Sequence, residues 1–159
     1  MQLLTQCLRK ALFFTSLVIF NAQTTELPLY KLEMGQTHQC AINDSGLTCW
    51  GGYNTNKELN VPKGLSNITD VSVAQGLSCV IASKELKCWG NPELTEHIPK
   101  NITNALDIEV SYDGGCVITD NTHTCWEYPF YHNNLYYSHR LDKLDALPHL
   151  TKVELTDSL

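Results

Sequence analysis

Positive charge is scarce in this sequence: 11 Lys and Arg stand against 17 Asp and Glu, for a formal net charge of −6 at pH 7. Nucleic-acid binding draws on a stripe of Lys and Arg that neutralises phosphates, and without one the chain is a poor match for nucleic acid. A basic or polar peptide is electrostatically easier. The short motifs of common catalytic machinery are missing too, with no G-x-S-x-G elbow, no H-E-x-x-H pair and no phosphate-cradling glycine loop. There is no C-x-x-C redox pair, and the cysteines never come close enough together for a zinc knuckle. His123, His132 and His139 have no ligand spacing behind them. These absences predict a protein that is not an enzyme and uses neither cofactor nor metal.

Long apolar runs are lacking as well, with one exception at the N-terminus. Arg9 and Lys10 precede "ALFFTSLVIF", Ala11 to Phe20, and small polar residues "NAQTT" follow. The run is shorter than the roughly 20 residues that cross a bilayer, and a positive flank ahead of it is the layout of an export signal. A signal peptide is expected over 1–24, cut between Ala22 and Thr25, with an uncleaved anchor as the alternative reading. Cleavage leaves no stable membrane span and places the protein outside the cell or in a periplasm. It also removes two positive charges, so that 9 minus 17 gives −8.

What the sequence does have is cysteine in a strict pattern. Cys7 lies in the export signal, and the remaining six form three pairs: "CAINDSGLTCW" from Cys40 to Cys49, "CVIASKELKCW" from Cys79 to Cys88, and "CVITDNTHTCW" from Cys116 to Cys125. Each is C-x8-C-W, and the first cysteines stand 39 and then 37 residues apart, a period in the range of propeller blades and solenoid units. Ahead of each pair an alternating, β-branched stretch ends six residues before the cysteine, at Met34, Val73 and Val110, and reads as a half-buried strand. After each tryptophan a proline follows, at Pro62, Pro99 or Pro148, where a loop or an edge tolerates the missing donor.

A two-residue turn at Asp44-Ser45, Ser83-Lys84 and Asp120-Asn121 sets the two cysteines of each pair opposite each other in a hairpin. Opposed residues in such a ladder have Cα atoms about 4.5 to 5.5 Å apart, within disulfide range. An even cysteine count in an exported chain favours disulfides over zinc or free thiols. Each closed loop is worth about 2.7 kcal/mol in the chain-entropy model.

The pattern of strand, G-x-x-H/S-x-C, apolar strand, turn, K/T-C-W-G and proline loop resembles the repeat of the regulator of chromosome condensation, in the cysteine-bearing form of exported proteins. "MGQTHQCAINDSGLTCWGGYN" and "VAQGLSCVIASKELKCWGN" carry the likeness best. The third unit departs from it, with Glu127 where Gly51 and Gly90 stand and Gly114 where His38 stands. The resemblance covers the chain from about Leu29 to its end and implies four-stranded blades of a β-propeller, normally seven in a ring. The fold class expected is therefore all-β, a partial propeller of about three blades with within-blade disulfides. Units are drawn at about 29–67, 68–105 and 106–150, with a further strand at 151–155. Three blades leave an open arc or one that closes by self-association, with exposed terminal edges.

The family's nuclear member drives nucleotide exchange on a small GTPase at chromatin, whereas exported relatives bind or inhibit other proteins. Only the second role fits an exported chain with disulfides. The expected function is a protein-binding or inhibitor-like scaffold. A small exported enzyme with a site on the propeller face, and a degenerate fragment of a larger propeller, are the alternatives. Contact residues are sought where the repeat changes: the distance from tryptophan to proline is 12, then 10, then 22 residues, and the extra stretch holds Tyr128, Phe130, Tyr131, His132, Tyr136 and Tyr137. The alternative role for these aromatics is to cap the last repeat. Trp50, Trp89 and Trp126, one per repeat, are expected to pack between blades. Sequons at Asn43, Asn67 and Asn101 are candidate glycosylation sites, Asn43 being the one beside a hairpin tip.

Overall fold

A computed structural model describes residues 29–128 and 151–152. Among these residues nine strands form three antiparallel sheets of three, each in simple sequence order. The first sheet consists of β1 (Leu29–Met34), β2 (His38–Asn43) and β3 (Gly46–Gly51). The second consists of β4 (Ile68–Ala74), β5 (Leu77–Ala82) and β6 (Glu85–Gly90). The third consists of β7 (Ala105–Val110), β8 (Gly114–Thr119) and β9 (His123–Glu127). The strands ahead of each cysteine lie where the alternation put them.

Local chemistry sets the register. The second hairpin turns on Ser83 and Lys84, both with positive φ (52° and 65°), as a type I′ turn requires. Cys40 then faces Cys49, Cys79 faces Cys88 and Cys116 faces Cys125, and all three pairs are disulfide-bonded. Their Cα atoms are 4.1, 4.1 and 4.0 Å apart, at the close end of cross-strand spacing.

Period-two alternation gives each sheet two faces. One, here the back, carries the disulfide; the other, the front, carries the tryptophan. The back of the first sheet packs on the front of the second, where Cys40, Ile42, Val71, Val73, Val80 and Ala82 form one core. The back of the second packs on the front of the third, where Leu77, Cys79, Ile81, Ile108, Val117 and Trp126 belong to another. The same back-to-front stacking is thus used twice. Each sheet is one propeller-like blade.

Among the described residues the sheets have three strands and not the four implied by the resemblance. After β6 the chain makes a short helix, α1 (Pro92–Thr95), with the Asn91 side chain accepting from Glu93 N at 3.0 Å and Leu94 buried in the core. Of a fourth strand only the isolated bridge between Glu85 and Thr103 is present. The stretch before it holds Pro92 and Pro99, which cannot donate to a ladder.

The two departures of the third unit prove to be one exchange. His38 pairs with Gly51 and Leu77 with Gly90, whereas Gly114 pairs with Glu127. The strands approach so closely there that a Cβ on Gly90 would lie 2.2 Å from the Gly76 carbonyl oxygen, and one on Gly114 would lie 2.1 Å from that of Trp126. One residue of each pair must be glycine, and the third unit has moved it to the facing strand.

Candidate functional site

Polar side chains converge on the first strand of each blade. Lys31 and Glu33, Asp70 and Ser72, and Asp107 and Glu109 occupy matching places, opposite the disulfide cysteine and the isoleucine two residues on. All six point to the back of their sheets, and from this edge Lys31, Asp70 and Ser72 reach the following blade. Asp70 accepts a hydrogen bond from Ile108 N at 2.9 Å and Ser72 accepts one from Val110 N at 3.0 Å. Lys31 pairs with Asp70 and, at 3.4 Å, with Glu33. Burial works against the Lys31 ammonium, but Asp70 and Glu33 outweigh it and hold its pKa above the ordinary lysine value.

Glu109 is placed least comfortably. Burial, then the charge of Glu33, raise its pKa to about 7; Lys31 opposes the shift, and Asp107 and Asp70 add to it. A carboxyl that titrates near neutrality can serve as a general base. Here its neighbours are other carboxylates and a lysine engaged with Asp70. Among the described residues no three His, Cys, Asp or Glu side chains are arranged to hold a metal ion.

A serine and a histidine also meet, with His38 Nε2 and Ser78 Oγ 2.7 Å apart. The distance suits a nucleophile and its base, but the surroundings do not. Both residues are fully buried between the first two blades, and Ser78 donates its hydroxyl proton to the Glu58 carbonyl at 2.9 Å. Ser78 Oγ therefore accepts from His38 Nε2–H, which leaves His38 Nδ1 free of a proton and 3.4 Å from Thr37 Oγ1. The same Glu58 carbonyl accepts from Trp89 Nε1 at 2.8 Å, while the Glu58 carboxylate accepts from Asn56 N at 2.8 Å. Burial lowers the His38 pKa, against the opposing charge of Glu58. This group is a latch between blades, closed to any substrate.

A groove of about 240 Å³ runs beside the third hairpin tip, lined among others by Leu106, Ile118, Asp120, His123 and Thr151. It is smaller than the roughly 300 Å³ at which small-molecule sites begin.

Of the aromatic contact residues expected after Trp126, Tyr128 is fully buried. It receives a hydrogen bond from Trp126 Nε1 at 3.2 Å and stands edge-on to His97, and burial pushes its phenol up to about 12. Tyr128 is therefore a core residue and not a contact residue: the strand carrying Trp126 continues straight into the core beneath α1. Phe130, Tyr131, His132, Tyr136 and Tyr137 lie outside the described residues, as do the signal segment 1–24 and residues 153–155 of the terminal strand. Asn67 and Asn101 are exposed, each with positive φ, whereas Asn43 is half-buried and its side chain accepts from Ser45 N at 2.8 Å. The turn itself uses the Asn43 side chain.

Sequence reasoning missed the polar edge. Its signal was available: nine and seven residues ahead of each first cysteine stand Lys31 and Glu33, Asp70 and Ser72, Asp107 and Glu109. They looked like the ordinary solvent side of an alternating strand.

No family model matches the sequence, and no curated protein matches it. Solved structures do resemble the fold. The WD40 ectodomain of the Arabidopsis thaliana receptor kinase ACR4 aligns with a TM-score of 0.53 at 20% identity, over 65% of this chain and 38% of that one. The ectodomain of the Physcomitrella patens receptor kinase CR4 aligns at 0.50 and 22%, over 65% and 28%. Prp20p of Saccharomyces cerevisiae, whose structure was described with its binding to Gsp1p and histones, aligns at 0.52 and 13%, over 62% and 33%. The chain thus spans about a third of each propeller-like relative, and at these identities the likeness is one of fold.

Proposed function

We propose that this chain is an exported scaffold that binds another protein and catalyses no reaction. The observation that carries the reading is where its reactive-looking groups are spent. His38, Ser78, Asp70, Ser72 and Lys31 all bond across blade boundaries, so they hold the arc together. Three disulfides whose first cysteines are buried support folding in an oxidising compartment. Among the described residues no helix is long and apolar enough to cross a membrane. The resemblance to cysteine-bearing regulator-of-chromosome-condensation repeats agrees with a binding or inhibitory role. The chain is acidic overall, with 17 Asp and Glu against 11 Lys and Arg, which suits a basic segment of the partner, and the tyrosine-rich stretch 130–137 is the proposed contact.

Capture of partners from the extracellular fraction tests this with the full chain and a Tyr131→Ala, Tyr136→Ala double variant. The expected outcome is lost capture with an unchanged urea midpoint. A shifted midpoint reassigns the segment to capping. Secretion of a folded protein carrying six free thiols overturns the compartment.

A further inference from the structure

The front of the first blade has the residues of an internal blade boundary and, among the described residues, no blade against it. In the second blade the front-face Val71 and Val73 are 0% and 7% exposed, and in the third Ile108 and Val110 are 0% and 3% exposed. Their counterparts in the first blade, Leu32 and Met34, are 42% and 72% exposed, and Trp50 is 43% exposed where Trp126 is 7%. Register aligns these residues in two rows across the sheet, Met34 with Gln39 and Trp50, and Leu32 with Ala41 and Thr48. Neither row contains a charge.

We propose that this face is the interface of a two-fold dimer, in which the first blades of two copies of the chain pack front to front. Three features select a second copy in this orientation. The protein is acidic overall, yet the two rows are uncharged, so self-contact opposes no like charges. The three apolar side chains expose about 310 Å² at roughly 200 Å² each. With the flanking Gln39, Thr48 and Tyr30, two opposed faces bury on the order of 1,000 Å², the lower limit of a specific interface. Head-to-tail addition, the stacking used inside the chain, needs a free back face on the third blade, but Cys116 and Ile118 there are 1% and 2% exposed and Thr151 lines a groove with Ile118. A closed, isologous contact remains. It also covers an exposed apolar sheet face that otherwise invites aggregation.

Sedimentation equilibrium of the exported full chain from 1 to several hundred micromolar tests the proposal. A concentration-dependent monomer–dimer equilibrium is expected, with Met34→Glu raising the dissociation constant at least tenfold and leaving the melting temperature unchanged below dimerising concentrations. Thr48→Glu, at an exposed position, gives the same reading should Met34→Glu fail to fold. Gln39 lies at the centre of its row, so Gln39→Glu and Gln39→Lys are each expected to be monomeric alone and to associate when mixed. A monomer at every concentration overturns the proposal, as does a dimer indifferent to these changes. Variants that separate but do not re-associate on mixing overturn the two-fold arrangement.

Discussion

The two blade boundaries are made by the same backbone operation and filled with opposite chemistry. Between the first and second blades, the back-face His38 meets Ser78, and the contact is closed by the Glu58 carbonyl and the Trp89 indole. Between the second and third, Leu77 stands in the place of His38 and Gly115 in that of Ser78, and the indole of Trp126 lies over the glycine. A Cβ on Gly115 would come within 2.5 Å of Trp126 Cζ2. Removing a side chain at Gly115 lets the third tryptophan lie flat and become buried, while a hydroxyl at Ser78 holds the second by way of a shared carbonyl acceptor. Around the tryptophan one boundary is specified by hydrogen bonds and the other by shape, while at the polar edge Asp70 and Ser72 bond across the second boundary as well.

The largest test of that contrast is Trp126→Ala. It is expected to cost about 3–5 kcal/mol, against less than about 1 for Trp50→Ala, read as urea midpoints below dimerising concentrations. Equal losses would mean that the repeat position, and not its neighbour, sets the role of the tryptophan. Next comes replacement of Cys79 and Cys88 by serine, about 2–4 kcal/mol by calorimetry, because that pair closes a hairpin whose both faces are covered by other blades.

Glu109→Gln is expected to stabilise by about 1–2 kcal/mol at pH 8 and by nothing at pH 4. The sign follows from a folded pKa raised to about 7 from 4.5: the folded state holds the proton more tightly, so the stability Glu109 contributes is complete below 4.5 and is lost as pH rises through 7. A variant equally stabilising at both pH values would remove electrostatics as the cause. His38→Leu is the smallest change, about 1 kcal/mol at pH 7, and makes the first boundary resemble the second. The lowered pKa of His38 gives the wild type stability that is present above 6.5 and lost as pH falls through the folded value. Thermal melts from pH 7.5 to 5 should therefore show an acid loss that is shallower in His38→Leu. An unchanged slope would place the acid sensitivity elsewhere.

Much of each blade was legible because its determinants lie within about ten residues. Alternation ending at Met34, Val73 and Val110 marked the first strands, and a two-residue turn inside C-x8-C fixed which cysteines face each other. The polar edge left a regular spacing in the sequence but not its meaning, since Glu33, Asp70 and Glu109 are about 38 residues apart and their alternation equally describes a strand facing water. Nor was the exchange of Gly51 and Gly90 for Gly114, which reads as two unrelated departures until the register pairs Gly114 with Glu127.

By itself the sequence determined the hairpins, their disulfides and the period of the repeat, because turn length and side-chain alternation act along a continuous piece of chain. Tertiary structure alone decided which of three equivalent tryptophans is buried, which carboxyl titrates near neutrality and which blade presents a bare front. Those properties depend on what stands against a face, and the neighbouring blade is supplied from almost forty residues away.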